Sequence, residues 1–216
     1  MNPTRTRGII LNKIKQALSK KKNNLQEPNF SSPVFAYKGE EDRTIVFAEN
    51  FVKTKGEFIF CESESYFHNA LQLIIQKRGI KNIHVWEDKL FSHIEKSQVA
   101  YNRLDSELVN TEAGITTCEV LIARTGSMFI SSATRSGRRL SVFPPIHIVV
   151  AYTSQIVEDI DNGILLIKNK YNGNLPSMIS LVTGPSRTAD IEKTLVLGAH
   201  GPKELILFLI DDSTKN

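Results

Sequence analysis

Cysteine is nearly absent: Cys61 and Cys118 are the only two, and they stand far apart. That is too few for a zinc site or an iron–sulfur cluster built from this chain alone. The pair reads as reduced thiols of a cytosolic protein. Long apolar runs are missing too. No stretch approaches the roughly 18 residues of a membrane span, and the start MNPTRTRGIILNKIKQALSKKK lacks the apolar core and small-residue cleavage site of a secretory signal. Residues 1–22 contain no acid but hold Arg5, Arg7, Lys13, Lys15, Lys20, Lys21 and Lys22. Those seven charges against a net +4 leave −3 for the rest, so the basic balance belongs to an N-terminal arm. A nucleic-acid groove in the body is therefore not supported. Also missing are Gly-x-Gly-x-x-Gly after a strand, a Walker-type Gly-Lys-Ser/Thr, His-Glu-x-x-His and Gly-x-Ser-x-Gly, which removes the common routes to nucleotide or metal chemistry.

What is present is ordinary globular material, 41% apolar and 23% charged, enough for one sizeable domain. Ile10, Ile14, Ala17 and Leu18 recur at helical spacing, so residues 1–24 read as a basic amphipathic helix. Such a helix can dock on an acidic partner or a membrane surface, or pack its stripe on its own domain or a sister subunit. Residues 25–43 read as an extended linker, and 25–216 as a single α/β unit. Strands are expected over Thr44–Ala48, Glu57–Cys61, Ile80–Trp86, Cys118–Ala123, Met128–Ser131, Ile146–Tyr152, Met178–Val182 and Leu205–Ile210. Helices are expected after Ser63, closing at Arg78-Gly79, and over Gln155–Asn169 with Thr153-Ser154 as its cap. Alternation of strand and helix points to an α/β layer architecture.

The stretch Thr183–Pro202, TGPSRTADIEKTLVLGAHGP, lies between two apolar runs and reads as loop, short helix and turn. Ser186 and Thr188 suit helix N-caps, and outward amides near Gly184 together with Arg187 could hold a carboxylate or phosphate. Asp190 and Glu192 would orient Arg187 or meet a hydroxyl or cation, or simply favour the helix dipole. Arg138 and Arg139 form either a second anion contact or a solvated loop. His147 lies in an apolar strand, the usual setting of a hydrogen-bonded core histidine. His200, between Gly198 and Gly201-Pro202, sits where an imidazole can serve as acid or base. The turn Thr125-Gly126-Ser127 offers further backbone donors.

Thr125-Gly126-Ser127, Gly137-Arg138-Arg139-Leu140-Ser141, Pro144-Pro145-Ile146-His147-Ile148, Thr183–Glu192 and Gly198–Pro202 occur in an order and spacing that resemble the LUD-domain family, and within it the lactate-utilisation protein C branch. The resemblance implies a three-layer α/β/α sandwich like the NagB/RpiA/CoA-transferase group. It also implies an accessory role in a bacterial system that oxidises L-lactate to pyruvate, with A and B type partner subunits carrying the iron–sulfur clusters and no cofactor in this chain. Its site would use Gly126, Ser127, Arg138, His147, Gly184, Ser186, Arg187, Thr188, Asp190, Glu192 and Gly201 for a small anionic ligand, with His200 as the catalytic candidate. Arg139 departs from the pattern, since many relatives carry a small residue there. A stand-alone cyclo-ligase- or isomerase-like enzyme, or a regulatory scaffold, is the alternative reading.

Overall fold

A computed structural model describes residue 12 and residues 42–103, 105–191, 194–197 and 201–213, without the side chains of 105–107, 188–191 and 194–197. Apart from Asn12, which is helical and exposed, the expected N-terminal helix lies outside the described residues.

The first described element corrects the sequence reading. Thr44-Ile45-Val46-Phe47 looks like a strand by its β-branched content, yet α1 runs over Arg43–Lys53. Asp42 accepts a hydrogen bond from the Thr44 amide at 2.7 Å, which caps the helix. Phe47 and Phe51, one turn apart, are both fully buried and stack at 5.6 Å. Burial of that pair outweighs the local strand preference.

Strand β1 (Glu57–Cys61) follows, then α2 (Glu64–Arg78), which opens on Ser63 and closes at Gly79 in the left-handed region as its sequence announced. After β2 (Ile83–Val85) and α3 (Asp88–Lys96) comes β3 (Ala113–Thr117), a strand the sequence reading missed. Strands β4 (Val120–Ile122) and β5 (Ser127–Ser131) form the expected antiparallel hairpin. Strand β6 is Ile146–Tyr152. A 3-10 turn and β7 (Ile156–Val157) then occupy residues assigned above to a helix, so α4 begins only at Ile160 and ends at Lys170. Asp159, not Thr153 or Ser154, caps it. Strand β8 is Ile179–Val182. The expected short helix after Ser186 is instead a hairpin of β9 (Arg187–Ile191) and β10 (Thr194–Leu197), so the N-cap roles for Ser186 and Thr188 fall away. Strand β11 is Glu204–Ile210.

A five-stranded, wholly parallel sheet runs β1-β11-β6-β3-β2, and a four-stranded mixed sheet runs β7-β4-β5-β8. Strands β6 and β11 are apolar at nearly every position because both faces of a parallel sheet are covered. Ile148, Val150, Ile206, Phe208 and Ile210 pack against Phe67, Leu71, Ile75, Leu90 and Ile94 of α2 and α3. Val149, Ala151, Leu205, Leu207 and Leu209 pack against α1 and against Leu121, Met128 and Ile130 of the small sheet. Ile167 of α4 closes the outer side of that sheet on Val120, Ile122 and Phe129. The result is the expected three-layer α/β/α class, with the mixed sheet sharing the layer of α1. No described helix is long and apolar enough to cross a membrane.

Candidate functional site

Several of the residues singled out by sequence meet around the last turn of α1. Asn50 donates to the carbonyls of Ala123 and Arg124 at 3.0 and 3.1 Å, which seats the β4–β5 turn on the helix. Gly126 stands in that turn with φ 59°, and a Cβ on it would lie 2.3 Å from the Phe51 amide nitrogen. The Ser127 hydroxyl is 2.7 Å from that of Thr183, joining the turn to the loop after β8. Gly184, with φ 71°, approaches the same helix: its Cβ would sit 2.4 Å from the Thr54 carbonyl oxygen. Arg187 donates to that oxygen at 2.6 Å. A cation at the carboxyl end of a helix is where the dipole and the free carbonyls favour it. The Ser186 amide donates to Pro202 at 2.8 Å, and Gly201 packs on the Ser186 side chain.

Gly126, Ser127, Gly184, Ser186, Arg187 and Gly201 therefore form one neighbourhood with hydroxyls, close backbone and an exposed guanidinium. Among the described residues the Thr54 carbonyl is the acceptor for this guanidinium, which carries five N–H groups. The Thr125 hydroxyl is buried there with no partner among the described residues. This chemistry suits a small anion.

Arg138 stands elsewhere. Gly137 packs on the Ser131 carbonyl, and Arg138 donates to Ser177 at 2.6 Å. Ser131 ends β5 where Ser127 begins it, four residues and about 13 Å away at roughly 3.3 Å each. His147 is 1% exposed and its Nε2 is 2.9 Å from the Thr116 hydroxyl. Burial pushes its pKa down to about 3, so the ring is neutral near pH 7. That geometry is the core histidine anticipated for an apolar strand. Glu192 and His200 lie outside the described residues. Thr188 and Asp190 are described in backbone only, within β9.

Two buried carboxylates escaped the sequence reading. Glu119 accepts from Lys170 at 2.6 Å, from Tyr171 at 2.7 Å and from Ser131. Glu87 accepts from the Thr117 amide and hydroxyl at 3.2 and 2.6 Å, tying the carboxyl ends of β2 and β3 together. The available signal for Glu119 was a single charge inside the apolar run Cys118–Ala123. Cys61 and Cys118 are free and buried, and burial raises both thiols to about 12, well away from a neutral-pH nucleophile. Among the described residues no three His, Cys, Asp or Glu are grouped to hold a metal ion.

Residues 47–210 match the LUD domain, and the chain belongs to that family. Within the family it is similar to proteins named lactate utilization protein C: 28% identical over 186 residues to that of Shouchella clausii, covering 80% of this chain and 81% of the other. The Bacillus subtilis protein of the same name is 35% identical over 133 residues, covering 59% and 51%. An uncharacterized protein of Neisseria meningitidis serogroup B is 39% identical over 101 residues, covering 47% of this chain and 43% of its own length. The crystal structure of a DUF162 family protein from Deinococcus radiodurans shares the fold, with a TM-score of 0.58, 20% identity, and coverage of 79% and 99%.

Proposed function

We propose that this chain takes part in lactate utilisation as the component without iron–sulfur clusters, in the cytoplasm, beside cluster-bearing A and B type subunits that oxidise L-lactate to pyruvate. Residues 25–216 form its single LUD-type domain, preceded by the basic helix. It binds a small anion where the Gly126–Ser127 turn, the Gly184–Arg187 loop and the Gly201 turn meet, with His200 as the acid–base candidate. The name carried by the relatives supports a part in lactate utilisation. The observation that carries the anion site is the 2.7 Å contact between Ser127 and Thr183, which brings two distant turns together beside Arg187.

Co-expression with cluster-bearing A and B homologues is expected to yield a co-eluting complex. Thermal-shift titration of the isolated chain with lactate and pyruvate tests the site, since a ligand that binds only the folded state raises the melting temperature. Arg187→Ala should weaken that response about 10-fold, the worth of one charged hydrogen bond. Co-expression that never gives a complex overturns the partner half. A ligand response equal in wild type and Arg187→Ala overturns the site half. Turnover by the chain alone would replace the accessory role with an enzymatic one.

A further inference from the structure

Helices α2 and α3 pack on the same face of the five-stranded sheet. Two polar pairs cross between them where their contact reaches the surface. Gln72 of α2 donates to Gln98, just beyond α3, at 3.4 Å. One turn away on α2, His68 Nε2 stands 3.4 Å from His93 Nδ1 of α3. Both imidazoles are half-buried. His93 meets the fully buried Phe67 edge-on at 6.3 Å, and Phe67 in turn meets Phe208 of β11 at 5.3 Å. The core therefore sets where these two rings stand.

A histidine pair is a poor choice for a helix bridge alone. While both rings are neutral, one nitrogen donates and the other accepts. A proton on the second ring removes the acceptor and sets two cations face to face. Gln72 and Gln98 make the same kind of bridge without that weakness. What imidazole has and an amide lacks is a lone pair suited to a borderline metal ion. Zinc holds imidazole nitrogens at about 2.0–2.1 Å in a tetrahedron, which sets two of them about 3.3–3.4 Å apart. The separation between His68 and His93 is the same. Ligands at right angles, as around copper(II), would stand closer, at about 2.9 Å for that bond length. The two nitrogens face each other, so each ring tilts about its soft χ2 torsion to aim both lone pairs at one point.

The tautomers needed are ordinary ones, with His68 protonated on Nδ1 and His93 on Nε2. Burial, with His93 and Lys96 nearby, lowers the pKa of His68, so protons compete little for it near pH 7. Glu64, one turn earlier on α2, favours a cation beside His68, and Lys96 opposes it. Lys96 is exposed, so salt screens its effect. We propose that His68 and His93 form a zinc site that clamps α2 to α3, with water completing the tetrahedron. Two protein ligands are half the set of a structural zinc site, so the clamp is reversible and is no cofactor of the reaction. The site uses no residue of the Gly126–Gly184 neighbourhood, and the two stand or fall separately.

Calorimetric titration of the full chain, free of any affinity tag, with zinc chloride near pH 7 tests the site. Saturable binding of one ion per chain is expected below about 1 mM. His68→Asn and His93→Asn should each weaken it by at least the roughly 10-fold that even an outer-shell partner is worth. Metal-free melting curves show that each variant is folded. Zinc should raise the melting temperature of the wild type and of neither variant. Magnesium, a hard ion that prefers oxygen, should raise none of them. His200→Ala should titrate like wild type. The absence of saturable zinc binding up to about 1 mM overturns the proposal. Undiminished binding in either His68→Asn or His93→Asn overturns it as well, as does loss of the site in His200→Ala. An equal response to magnesium would mark general screening of surface carboxylates and would also overturn it.

Discussion

Gly126→Ala is expected to destabilise the fold by about 3 kcal/mol or more, whereas Gly79→Ala should cost only about 1 kcal/mol. Both glycines have nearly the same left-handed φ, 59° and 64°. A Cβ on Gly79 would meet nothing within 4 Å, so alanine there bears the conformational cost alone. A Cβ on Gly126 would lie 2.3 Å from the Phe51 nitrogen and 2.4 Å from the Asn50 carbonyl carbon. Those are helix backbone atoms and cannot rotate away. Relief requires lifting α1, which holds the fully buried Phe47 and Phe51 against the sheet. Urea denaturation of the two variants separates close approach from backbone conformation. Equal losses would mean that the β4–β5 turn does not bear on α1.

Acid should weaken the fold from about pH 6.5 downward, with His147 as a principal cause. Its folded pKa is depressed to about 3 from 6.5 by burial. Between those values the unfolded chain binds a proton that the folded chain does not. Stability is therefore fully present above pH 6.5 and falls on acidification, by about 1.4 kcal/mol per pH unit for one such group. His68 acts with the same sign. Burial, with His93 and Lys96 nearby, lowers its pKa as well. Glu119 enters later. Burial alone would raise its pKa, but hydrogen bonds from Lys170, Ser131 and Tyr171 outweigh that and hold it below its ordinary 4.5. Its contribution is present above 4.5 and lost as pH falls through the lowered folded value. Unfolding free energy measured from pH 7 to 5 should show a shallower slope in His147→Gln than in wild type. Parallel slopes would show that the ring titrates in the folded state.

The elements that announced themselves in sequence carried local chemistry of their own. Ser63 and Gly79 bound α2 by capping rules that need no tertiary contact. The Thr125–Ser127 turn between two apolar runs marked the β4–β5 hairpin. The misread elements were those whose form depends on a distant partner. Thr44–Ala48 has strand-like residues, but Phe47 and Phe51 must reach a sheet built from the other end of the chain. β3 hides in Ala-Gly-Ile-Thr-Thr because Gly114 leaves room for Leu140 of a later loop, a reason invisible without that loop. The segment after Ser186 had capping residues for a helix, yet its backbone pairs as a hairpin.

The candidate site divides along the same line. Sequence alone determined the α/β class, the ordered motifs that mark the LUD family, the basic character of the N-terminal arm and the core setting of His147. Each depends on composition, on spacing, or on a residue's immediate neighbours. Only the tertiary structure decided that Ser127 meets Thr183 beside Arg187 while Arg138 stands at the far end of β5. It alone set His68 against His93 and put Lys170 and Tyr171 on Glu119. The physical reason is that strand order and register, not chain distance, set which loops share an end of a sheet. In this fold neighbouring strands such as β1 and β11 are joined by nothing in the sequence between them.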